Sequence, residues 1–141
     1  MKTRLFPIIS LPLVLALIAF AAAPAPAAAG GRTLNLQATS AHTDAYGTAR
    51  ITGDQIQILA GGLKPDAVYT VWFVNTRPKK HETGAGEPPH MFRTDADGDA
   101  VYASNLEESP VGEWEMVMIV QHPNGDPRDM KGMVGALKAK I

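Results

Sequence analysis

Val68-Tyr69-Thr70-Val71-Trp72-Phe73-Val74 decides how this chain is read, because every residue in the run is β-branched or aromatic. Gly61-Gly62 and Lys64-Pro65-Asp66-Ala67 supply turn chemistry ahead of it. Both faces of the run are apolar, which predicts a central strand. Working outward, Thr33-Leu34-Asn35-Leu36-Gln37-Ala38-Thr39 alternates strictly, with Leu34, Leu36 and Ala38 on one face, and so predicts a half-buried strand. A run over 47–52 turns at Gly53-Asp54 into Gln55-Ile56-Gln57-Ile58-Leu59-Ala60, the pattern of a hairpin. A second hairpin is expected from His90–Thr94, the turn Asp95–Asp99 and Ala100–Ala103. Trp114–Gln121 is the other central candidate, with Trp114, Met116, Met118 and Val120 on one face, and a closing strand covers about 132–140.

No window carries a sustained 3.6-residue apolar period, so the expected class is all-β. Seven or eight short strands in this length fit a two-sheet antiparallel sandwich, immunoglobulin-like or Greek-key, with an open barrel as the alternative.

Residues 1–29 read differently. Lys2 and Arg4 precede an apolar stretch from Leu5 to Phe20, and a small-residue tail ends at Ala27-Ala28-Ala29. These are the three parts of a signal peptide, cleaved after Ala29. The run also approaches bilayer length, so an uncleaved anchor is the competing reading; Pro7, Pro12, Pro24 and Pro26 favour removal. The expected organisation is a signal peptide over 1–29 and one sandwich domain over 30–141, periplasmic or secreted, with no membrane span in the mature form. Without Lys2 and Arg4, the 13 basic residues of the chain fall to 11, against 14 acidic ones. A mildly acidic domain with no basic stripe argues against nucleic acid as a partner. The chain has no cysteine, which removes disulfides, lipidated-cysteine attachment and thiolate chemistry together.

Leu59-Ala60-Gly61-Gly62-Leu63-Lys64-Pro65-Asp66-Ala67-Val68-Tyr69-Thr70-Val71-Trp72-Phe73, followed by Phe92-Arg93-Thr94-Asp95-Ala96-Asp97-Gly98, resembles the extracytoplasmic C-terminal domain of anti-sigma factors. The likeness covers about 40 residues, and its motifs form the fold. It implies an immunoglobulin-like sandwich; sigma regulation does not carry over, since no cytoplasmic sigma-binding part is recognisable. Ile119–Pro127 and the glycines after it are similar to the end of copper/zinc superoxide dismutases, which are Greek-key sandwiches. Those enzymes use a His-x-His strand and a disulfide. This chain has neither, so dismutase activity does not follow.

Four histidines, His42, His81, His90 and His122, fall at predicted strand ends and loops. Met91 follows His90, and Met130 follows His122, so imidazole and thioether together would suit copper; zinc is the other candidate. No His-x-His or His-x-x-x-His pair supports the set, and solvated or hydrogen-bonded loop histidines are the plainer reading. Met116 and Met118 read as core packing. Asp95-Ala96-Asp97-Gly98-Asp99 spaces its carboxylates like a calcium loop, but Ala100 and Leu106 stand where an EF-hand has Gly and Glu, so a hairpin turn accounts for it.

The stretch 76–89 reads as a long surface loop. Its basic cluster of Arg77, Lys79 and Lys80 with His81, and Arg128 in the second loop, make a candidate binding surface for an extracytoplasmic protein or surface component. Catalytic signatures are missing: there is no Gly-x-Ser-x-Gly, no Cys nucleophile and no phosphate-cradling glycine loop. The expected function is therefore a non-catalytic exported binding module without a cofactor. The alternative is a periplasmic copper or zinc protein using His90 and His122, with help from His81, His42, Met91 or Met130. A redox or hydrolytic enzyme would need a site that no motif announces.

Overall fold

The computed structural model describes residues 30–141, so the export segment expected over 1–29 lies outside the described residues. Nine strands form: β1 Arg32–Ala38, β2 Tyr46–Ile51, β3 Gln55–Gly61, β4 Val68–Asn75, β5 His81–Gly84, β6 Met91–Arg93, β7 Ala100–Asn105, β8 Met116–His122 and β9 Val134–Lys140. No helix occurs among the described residues. The all-β class and antiparallel pairing follow the sequence expectation.

The strands join in one curled path, β5-β4-β8-β9-β1-β2-β3-β7, with β6 beside β5 on the same edge of β4. The joint is β1. Its residues Arg32–Leu36 pair with β2, while Gln37 and Ala38 pair with β9, so one strand belongs to both halves. Right-handed strand twist then rolls the two halves toward each other.

Alternation sets which side chains face inward. Tyr69, Val71 and Phe73 of β4, Val117 and Ile119 of β8, Ile56 and Ile58 of β3, and Leu137 of β9 form one buried cluster. The two ends of the path meet across it. Tyr69 stacks on Phe92 of β6 with ring centroids 5.5 Å apart, and Phe92 meets Tyr102 of β7 at 6.1 Å. Tyr102 Oη donates to the Ala85 carbonyl, and the Glu87 N–H donates to Ser104 Oγ at 2.8 Å. Side chains thus seal part of the seam that backbone bonds leave unpaired.

Three local readings change. The stretch 76–89 is not all loop, because His81–Gly84 pairs with Trp72–Asn75 as β5. Trp114 precedes β8 in a turn where its N–H and that of Glu113 both reach the Pro110 carbonyl; its ring turns inward onto Phe73, 6.3 Å away. Met116 and Met118 lie with Val120 on the opposite, outer face and are half-buried, whereas the core takes Val117 and Ile119. The Asp95–Asp99 run is a hairpin turn: Asp95 Oδ1 accepts the N–H groups of Asp97 and Asp99, both at 2.9 Å, and Gly98 takes φ +81°.

Ile119→Ala, at a side chain with no exposure, should lower unfolding free energy by about 2–5 kcal/mol in urea denaturation. Val101→Ala, at a residue 65% exposed, should stay within about 0.5 kcal/mol.

Candidate functional site

On β4 the outward positions are Val68, Thr70, Trp72 and Val74, and all but Trp72 are buried. Antiparallel pairing sets His122, Val120, Met118 and Met116 of β8 opposite them in turn. Burial on this second face leaves polar atoms that must find partners. Trp72 Nε1–H donates to Thr70 Oγ1 at 2.7 Å, and Thr70 Oγ1 lies 2.7 Å from His122 Nε2. His122 Nδ1 faces the Asp129 carbonyl at 3.1 Å, so Nδ1 carries the proton there. In the neutral ring, Nε2 is then the acceptor and the Thr70 hydroxyl its donor. The chain Trp72–Thr70–His122–Asp129 is complete, and both nitrogens of His122 are engaged.

His90 reaches the same face from the β5–β6 connection. Its carbonyl accepts the Val71 N–H at 2.9 Å, and its backbone adopts φ +60°. Its ring rests on Gly84, where a Cβ would stand 2.0 Å from His90 Cδ2, so only glycine leaves room. Trp72 lies 5.9 Å away by ring centroids. Trp72 and Thr70 therefore stand between His90 and His122 on this face.

His42 is elsewhere. It packs edge-on against Tyr69, which faces the core, and its Nε2 lies 3.2 Å from Tyr69 Oη. Burial, then the charge of Lys64, hold its pKa below the ordinary imidazole value, and Gln121 and the Gly135 carbonyl oppose this in part. Its Nδ1 is buried and lies outside hydrogen-bonding geometry with any described residue. Tyr69 Oη also accepts the Lys64 N–H at 3.0 Å, while burial raises the phenol's pKa.

The basic residues divide between two ends of the sheet. Arg77, Lys79 and Lys80 are exposed at the β4–β5 turn, beyond Val74 and Met116, whereas Arg128 follows His122, which pairs with Val68. Six residue steps of β4 separate those ends, roughly 20 Å. Met130 is exposed in the Arg128 loop. The β4–β5 turn is anchored at Glu115, whose Oε2 accepts the Thr76 hydroxyl at 2.6 Å and the Thr76 N–H at 2.9 Å. Those bonds hold the Glu115 carboxyl below the usual range.

His81 opens β5 and stacks on Trp114 at 5.2 Å. Phe73, Trp114 and His81 thus form an aromatic row along a groove of about 580 Å³. The groove lies between β5, one end of the strand path, and the segment that leaves β7, the other end. Glu82, Glu87, Glu107 and Glu108 line it, and no lysine or arginine does among the described residues. Lys80 pairs with Glu82 at 3.0 Å; the other three glutamates have no ion pair among the described residues. Sequence reading missed this groove because its walls come from short polar stretches, Glu107-Glu108 among them, that carry no periodic signal. A larger, shallower depression over β3 and β7, about 880 Å³, is lined by Arg50, Gln55, Gln57 and Asn105 and exposes no aromatic floor.

No family model, curated protein or solved structure matches this chain.

Thr70→Val keeps shape but strands Trp72 Nε1–H and His122 Nε2, and should cost about 1–3 kcal/mol for each abandoned partner. Thr70→Ser should recover most of the loss in the same urea titration. For His42 the unfolded chain takes up a proton at higher pH than the folded one. Stability present above the ordinary imidazole pKa of about 6.5 is therefore lost as pH falls through it toward the lower folded-state value. His42→Gln should flatten that slope, measured as unfolding free energy against pH.

Proposed function

We propose that the protein is an exported, non-catalytic binding module that takes an extended basic segment of an extracytoplasmic protein or surface component into the groove beside β5. The observation that carries this reading is the groove itself, an aromatic row flanked by four glutamates at the unpaired end of a sheet. An edge strand offers free N–H and C=O groups on one side, and an added strand satisfies them. Alternate side chains of that strand would turn inward to Phe73 and Trp114 and outward to the carboxylates. Lysine or arginine suits the outward positions, since unpaired Glu87, Glu107 and Glu108 set the local charge.

On this reading 1–29 is an export signal, and the domain works in the periplasm or outside the cell. The curled sheet serves as an immunoglobulin-like or Greek-key sandwich whose halves share β1. The basic cluster Arg77, Lys79 and Lys80 stands beside the groove and steers the segment's acidic flank, while Arg128, at the far end of β4, takes no part.

Calorimetric titration with a short alternating lysine–valine peptide should give saturable binding, and the glutamate–valine counterpart should give none. Glu107→Lys with Glu108→Lys should weaken the first by at least about ten-fold, or 1.4 kcal/mol. Equal binding of both peptides, or binding indifferent to the charge reversal, would overturn the reading.

A further inference from the structure

The outer face of β4 carries soft donors, one of which, His90, also lines the groove beside β5. His90 Nδ1 is buried with no hydrogen-bond partner among the described residues, although buried ring nitrogens are as a rule paired. The ring lies against Gly84, with Cδ2, Nε2 and Cγ its atoms nearest to where a side chain there would stand. Met91, the next residue, pairs with Thr70 and so lies on the same outer face, one position along β4 from Trp72. Trp72 itself pairs with Gly84 on one side, where the His90 ring sits, and with Met118 on the other. One imidazole, two thioethers and an indole thus fall at or within one alternate position of a single point of the sheet, Trp72, all half-buried.

We infer that this point is a site for a soft monovalent cation, copper(I), held by His90 and the thioether of Met91 and capped by the Trp72 ring, with Met118 alongside. The chemistry of the donors selects the ion. Thioether and imidazole satisfy a soft cation at low coordination number, whereas hard divalent ions want several oxygens. The carboxylate of β5 on this face, Glu82, stands opposite Val74, one alternate position beyond Trp72, and is already paired with Lys80. A desolvated cation beside an indole face gains a further cation–π attraction. The other histidines lie elsewhere: His122 uses both nitrogens, His81 stacks on Trp114, and His42, whose Nδ1 is also without a partner among the described residues, faces the core away from any of these thioethers. Because His90 also lines the groove, the ion titration is read on the peptide-free protein.

Trp72 supplies the readout. The chain has two tryptophans, so Trp114→Phe leaves Trp72 as the reporter. Titrating that variant with silver(I), a redox-inert stand-in, should quench its emission and saturate at one ion per chain. Copper(I) under anaerobic chelator competition should do the same. Met91→Leu, which keeps volume, and His90→Asn should each weaken binding by at least about ten-fold, or 1.4 kcal/mol, with thermal midpoints close to the parent's. His42→Gln should leave the titration unchanged. If His90→Asn fails to fold, Met91→Leu alone decides. A quench that never saturates, one that both variants leave intact, or zinc(II) binding as tightly as silver(I) would each overturn the assignment.

Discussion

Strand β4 is enclosed on all four sides, and that enclosure governs the rest of the molecule. β8 pairs with it along one edge, and β5 and β6 share the other. Its inward residues Tyr69, Val71 and Phe73 fill the core, while Val68, Thr70 and Val74 are buried on the outward side as well. A strand with one wet face could carry Thr70 and Trp72 without consequence, since water would satisfy them. Here it cannot, and the polar chain through His122 to the Asp129 carbonyl follows from that. The same chain pins the loop after β8 to the sheet, so loop geometry on this side is set by a hydroxyl on the central strand.

The unfinished closure of the sheet is the second consequence of the topology. Because β1 serves both halves, the path curls far enough for Phe92 and Tyr102 to meet but leaves β5 and β7 without backbone bonds to one another. Near Ala85 and Glu87 the gap is bridged by Tyr102 and Ser104. Toward His81 and Trp114 it opens into the groove. The two ends of one seam therefore have different characters, one latched by side chains and one floored by aromatic rings.

Much of this was legible in the residues. The strict alternation of Thr33–Thr39, the doubly apolar run at Val68–Val74 and the Asp/Gly turn at Asp95–Asp99 carry their structures in their own periods. β5 was not legible, because His81-Glu82-Thr83-Gly84 has no apolar alternation and is a strand only by virtue of its bonds to β4. Strand phase misled at Trp114: extending the alternation of β8 backward by two residues put its ring on the wrong side, since the Pro110 turn ends the pleat before it. Pairing register, which separates Arg128 from Arg77, is a property of two strands together and cannot be read from either one.

The histidines show how a period of two sorts chemistry. Tyr69 and Thr70 are neighbours in sequence and face opposite sides of the sheet, so His42, held by the first, and His122, held by the second, are separated by the backbone itself. Both nitrogens of His122 and Nε2 of His42 serve the fold. His81 contributes its ring face to the aromatic row rather than a lone pair. His90 differs in having its ring laid over a glycine on the outer face; like His42 it comes from a connection and leaves Nδ1 without a partner among the described residues. A left-handed backbone at φ +60° and a seat that admits only glycine are constraints on two residues at once, and close packing alone would be met more simply by an aliphatic side chain. On the copper(I) assignment, that imidazole is kept for its nitrogen rather than for the space its ring fills.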